Sequence, residues 1–94
     1  MQDGEFEWDD AKAAANVVAH GISFEVARRA FDDTFGIARD DRREAYREDR
    51  SMFLGVVGNR LLAVVYTMRG ERVRIISARP AEPREKRWYH EENN

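Results

Sequence analysis

With 94 residues, 43% of them hydrophobic and 36% charged, the chain suits one soluble domain over residues 1–94 with a modest core, and excludes a separate regulatory module. The absence of cysteine excludes disulfides, thiolate chemistry and cysteine-based metal sites, and no apolar run approaches bilayer length. The net charge of −2 is unevenly spread, with four basic against ten acidic residues in 1–41 and twelve against eight in 42–94, so a polyanion is expected to dock on the second part.

Met1-Gln2-Asp3-Gly4-Glu5 is acidic where a secretion signal is basic, which points to a cytoplasmic protein. Phe6 to Trp8 reads as a short extended segment. Asp9 is a good N-cap for a helix over Asp10 to His20, in which Trp8, Ala11, Ala15 and Val18 fall on one face at helical spacing, and Gly21 stops it. Ser23 caps a second helix over Phe24 to Asp32, with Phe24, Ala27 and Phe31 as its buried stripe.

From Phe35 the period changes to that of strands. Phe35 to Arg39 is a strand, Asp40 to Asp49 a charged, mobile loop around Tyr46, and Met52 to Val57 a second strand. Gly58-Asn59 is a hairpin turn. Arg60 to Met68, with its near-continuous run from Leu61 to Tyr66, is a central strand covered on both faces. Arg69-Gly70-Glu71 turns the chain into a last strand, Arg72 to Ala78, and Pro80 suits the first turn of a final helix over Ala81 to His90. The expected class is α+β, in the order β-α-α-β-β-β-β-α, an antiparallel sheet with two N-terminal helices and one C-terminal helix.

The residues that carry chemistry are mostly arginines. Arg50, Arg69, Arg72, Arg74 and Arg79 surround or lie on the last strand, where alternation puts Arg72 and Arg74 opposite Val73 and Ile75, and Arg79 on the Val73 side. A guanidinium fork matches a phosphodiester well; the plainer alternative is pairing with Glu44, Glu48, Asp49, Glu71 or Glu85. His20, at a helix end, either complements the dipole or transfers protons near neutral pH. Lys12 sits in the first helical turn, where the dipole disfavours a cation, so it needs an Asp9 or Asp10 carboxylate or a phosphate as partner. Tyr66, Trp88 and Tyr89 are packing residues or, as a lesser reading, surfaces on which RNA bases stack. Asp32-Asp33 and Asp40-Asp41 flank a strand without converging, so neither pair suggests a metal site.

These pieces combine into a pattern. Phe6-Glu7-Trp8-Asp9 with Lys12 and Asn16, His20-Gly21 with Ser23-Phe24-Glu25, Phe31-Asp32-Asp33, Glu48 with Arg50, Tyr66-Thr67 with Arg69-Gly70, Ile75-Ile76-Ser77-Ala78-Arg79-Pro80-Ala81, and Glu85 with Tyr89 resemble the BrnT family of toxins from bacterial type II toxin–antitoxin pairs. The resemblance runs from Phe6 to about Tyr89. It implies a fold like that of the RelE group of small ribonucleases and activity against RNA. It also implies inhibition by a cognate BrnA-like antitoxin of ribbon-helix-helix type, with operator DNA bound only through that antitoxin.

A ribonuclease of this kind needs neither metal nor cofactor: the substrate's own 2′-hydroxyl attacks, leaving a 2′,3′-cyclic phosphate. The protein then supplies a base, an acid and cations around the phosphorus. Lys12, His20 or Glu48 fit the proton-transfer roles, Arg50, Arg69 and Arg79 the charge-stabilising ones, and Arg72, Arg74, Tyr66 and Tyr89 the binding of RNA. Ala19 stands where the family often has lysine. That departure motivates a second class of function, a weak or inactive toxin-like module that partners an antitoxin in controlling its operon.

Overall fold

Local capping sets the first elements. In the computed structural model, which describes residues 3–40 and 50–94, the Asp9 carboxylate accepts the Lys12 N–H at 3.0 Å and opens helix α1, Asp10–His20. Gly21 closes it in the left-handed region, its N–H donating to the Val17 carbonyl at 2.8 Å. The Ser23 hydroxyl accepts the Val26 N–H at 3.1 Å and opens α2, which is α-helical only over Phe24–Arg28 and tightens into a 3-10 turn over Arg29–Asp32. The expected helix to Asp32 is thus divided by a change of winding.

Five strands form one sheet: β1 (Phe6–Glu7), β2 (Ile37–Asp40), β3 (Ser51–Val57), β4 (Arg60–Arg69) and β5 (Arg72–Pro80), in the order β1-β5-β4-β3-β2. β4 is central, as its apolar run implies. The β3–β4 and β4–β5 hairpins turn on two residues each, and Gly58 and Gly70 lead those turns at φ 65° and 62°, a conformation that suits glycine. The sheet is mixed rather than antiparallel. β1 lies parallel to β5, pairing Phe6 with Val73 and Glu7 with Arg74, because the chain enters along the free edge of β5 before its helices.

Three further expectations are corrected. α1 does not bury Ala11, Ala15 and Val18. All three are exposed, Val18 at 88%, while Asn16 and half-buried Ala13 face inward. Trp8 is buried, but from the segment before the helix. β2 begins at Ile37, leaving Phe35 exposed. Pro80 ends β5, and the proline in the first turn of α3 (Pro83–Glu92) is Pro83, two residues beyond Ala81.

The sheet carries a core on each face. One holds Phe6, Trp8, Phe24, Ala27, Leu62, Val64, Ile75 and Ala78 beneath the N-terminal helices. The other, smaller, holds Met52, Leu54 and Ala63 with Trp88 and Tyr89 of α3. The loop expected at 40–49 lies, apart from Asp40 at the end of β2, outside the described residues.

Candidate nucleic-acid interface

The arginines meet on one face of the sheet through a register shift. Val65 pairs with Ser77, but Tyr66 pairs with Ile75, so Ile76 is an extra residue with no partner position on β4. A one-residue bulge reverses the alternation beyond it. Val73, Ile75 and Ala78 all face the core under the N-terminal helices, and Arg79 lands on the other face, with Arg72 and Arg74. The expectation that Arg79 closes the strand on the Val73 side is therefore corrected: the bulge carries it across. Arg69, which pairs with Arg72, faces the same way, and Arg50 stands two residues before Met52 on that face.

Arg79, Arg74 and Arg72 have intramolecular partners. Arg79 Nη1 and Nη2 lie 2.7 and 2.8 Å from Oε1 and Oε2 of Glu85, a bidentate pair whose carboxylate is 1% exposed and whose guanidinium side chain is 15% exposed. Arg79 Nη2 is also 3.9 Å from the Met52 sulfur. Arg74 Nη1 lies 2.6 Å from Glu7 Oε2, joining β5 to β1. Arg72 Nε donates to the Asp3 carbonyl at 2.8 Å. The Asp3 carboxylate is pulled down to about 2 by the Phe6 and Glu5 N–H groups and then by Arg28. The amino-terminal segment is thereby tied to the arginine strand.

The remaining candidates lie apart from this face. Lys12 and His20 are exposed on α1, which packs Ala13 into the opposite core; it is the Lys12 backbone N–H, not its ammonium, that meets Asp9. Glu48 lies outside the described residues. Tyr66 is half-buried on the side of the N-terminal helices, its ring edge-on to Phe31 at 5.3 Å between centroids. Tyr89 packs against the smaller core and donates its hydroxyl to Asp33 Oδ2 at 2.6 Å.

Asp33 is engaged in structure. Burial pushes its carboxyl up, but the Tyr89 hydroxyl and the Val56 and Phe35 N–H groups (2.8 and 2.9 Å) outweigh that and hold it below the usual range. The same burial, with Asp33 beside it, pushes the Tyr89 phenol up to about 12. Among the described residues no three His, Asp or Glu side chains converge on a metal-sized site.

Other residues prove central. Asn16 donates to the carbonyls of Ile22 and Ala78 at 2.8 and 2.9 Å and accepts the Ala78 N–H at 3.1 Å. Its amide continues the free edge of β5 where β1 has ended. A polar residue inside a helix of alanines and valines was the available signal. Glu85 accepts the Glu82 N–H at 2.8 Å at capping-box spacing, and its contact with Arg79 bears out the pairing with Glu85 that the sequence offered as an alternative for these arginines.

Residues 8–85 match the family model described as "Ribonuclease toxin, BrnT, of type II toxin-antitoxin system". No curated protein matches the chain. No helix among the described residues is long and apolar enough to cross a membrane.

Proposed function

The chain belongs to the BrnT family of type II toxin–antitoxin ribonuclease toxins, and from that premise we propose that it is a single-domain, cytoplasmic endoribonuclease with a fold like that of the RelE group. It cleaves RNA by attack of the substrate's 2′-hydroxyl, without a metal, and so inhibits translation and growth. A BrnA-like ribbon-helix-helix antitoxin restrains it and carries it to operator DNA.

The observation that supports this reading most is the arginine face assembled by the bulge at Ile76. A pentacoordinate phosphorus carries charge on its equatorial oxygens, and guanidinium groups fixed before the reaction stabilise that charge without reorganising. In this mechanism Arg50, Arg69 and Arg79 stabilise the phosphorane, while Arg72 and Arg74 draw the strand down. Glu85 holds the plane of the Arg79 fork by its bidentate contact. Lys12, His20 and Glu48 are the proton-transfer candidates. Tyr66 and Tyr89 have packing partners, so the arginines carry the binding of RNA.

The test is digestion of RNA by the purified protein in EDTA, with end-group analysis of the products. Products ending in 2′,3′-cyclic phosphate support the mechanism; activity lost to EDTA overturns its metal independence. A second reading, an antitoxin-binding module with little or no nuclease activity, is favoured by the carboxylate partners of Arg74 and Arg79. Expression of the chain alone in bacteria separates the two: growth arrest supports the ribonuclease, and normal growth with folded protein supports the module.

A further inference from the structure

Beside the carboxylate-paired arginines lies a second cationic cluster built on an indole. Arg39 of β2 stacks its guanidinium 3.9 Å from the centre of the Trp88 ring, and Arg84 of α3 lies 5.2 Å from it. Trp88 is half-buried against the smaller core, and both arginines are exposed. Neither makes an ion pair among the described residues. Arg39 pairs across the sheet with Met52, whose sulfur touches Arg79, so the cluster continues the arginine face toward the β2 edge.

Two features make this arrangement costly on its own. Two like charges lie 3.9 and 5.2 Å from the centre of one ring and repel each other. Arg84 also occupies the first turn of α3, where the helix dipole disfavours a cation. A phosphate between the two guanidiniums relieves both, and a planar fork stacked on an aromatic ring is already oriented for it.

We propose that Arg39, Trp88 and Arg84 form a phosphate subsite that grips the RNA strand away from the scissile bond, supplying affinity rather than chemistry. The inference rests on the ribonuclease reading for the identity of the strand. Contacts of this kind hold backbone phosphates, so the subsite is indifferent to base sequence and its strength falls with salt.

The experiment compares the wild-type chain with an R39Q/R84Q double variant and an R39K/R84K variant. Two probes are used: a single-stranded 2′-O-methyl oligonucleotide, which lacks the attacking hydroxyl, and the unmodified RNA. Loss of two phosphate contacts weakens binding of the probe roughly tenfold and lowers the salt dependence of log affinity by about 0.7 per contact. In cleavage, KM rises while kcat holds, and the lysine variant recovers part of the affinity. Unchanged affinity and salt slope in R39Q/R84Q overturns the subsite, as does a fall in kcat at constant KM. If the wild type binds the probe but does not cut RNA, the ribonuclease reading fails while the salt slope still decides the subsite. A wild type that does not bind the probe overturns the subsite. A double variant with unchanged RNA affinity but a weakened antitoxin complex assigns the surface to the antitoxin instead.

Discussion

Glu85 holds Arg79 by both carboxylate oxygens, 2.7 and 2.8 Å away, and accepts the Glu82 N–H with one of them. One buried acid thus fastens the last strand to the start of the last helix. Partnering keeps a buried charge tolerable, and removing one member leaves the other stranded.

Glu85→Ala is therefore expected to cost about 3–5 kcal/mol, measured by chemical denaturation. Replacing both residues with apolar side chains, Arg79→Met with Glu85→Leu, is expected to recover most of that loss. A Glu85→Ala protein as stable as the wild type shows the pair to be energetically idle.

Asn16 supplies the Ala78 N–H and carbonyl with their partners at the β5 edge. Asn16→Ala leaves these groups and the Ile22 carbonyl without that side chain, at a cost of about 1–3 kcal/mol. Asn16→Asp is expected to cost more, since its carboxylate meets two carbonyl oxygens instead of donating to them. Thermal melts of the three proteins check the order.

The Asp33–Tyr89 bond makes stability depend on pH at both ends. The Asp33 carboxyl is held below its ordinary value, so its contribution is present above the unfolded pKa, roughly 3.9, and is lost as pH falls through the folded value. The Tyr89 phenol is raised to about 12, so its contribution is complete below the unfolded value of roughly 10 and is lost between there and about 12. Tyr89→Phe is expected to lower stability at neutral pH and to flatten both limbs. Urea denaturation across pH 2–12 reads this directly; an unchanged alkaline limb in Tyr89→Phe assigns that limb to other groups.

If the arginine face stabilises a phosphorane, Arg50→Lys is expected to lower the rate of RNA cleavage by about 10²–10³ with the net charge kept, because an ammonium cannot make the bidentate contact. Arg79→Lys is expected to lose activity too, but it also breaks the contact with Glu85, so its melting temperature must be measured alongside. His20→Ala is expected to flatten the pH–rate profile near neutrality if that histidine transfers protons. Full activity in Arg50→Lys removes that residue from the charge-stabilising set.

What was legible in the chain was local. The Asp9 and Ser23 caps, the Gly21 stop, the Gly58-Asn59 turn and the central place of Arg60 to Met68 each follow from a few neighbouring residues. The composition of the arginine-rich strand was equally plain. Several readings that depended on a partner distant in sequence went astray or stopped short. The apolar residues of α1 follow helical spacing, yet the helix docks through Asn16, because the open edge of β5 needs an amide more than the core needs another alanine.

The arginine face shows the division most sharply. That Arg72, Arg74 and Arg79 share a strand is written in the sequence; that they share a face is decided by Ile76, which has no partner position on β4. A bulge belongs to the pairing of two strands rather than to either one. One unpaired residue reverses every side chain beyond it, which is why only the folded sheet brings Arg79 to Glu85 and to the other arginines.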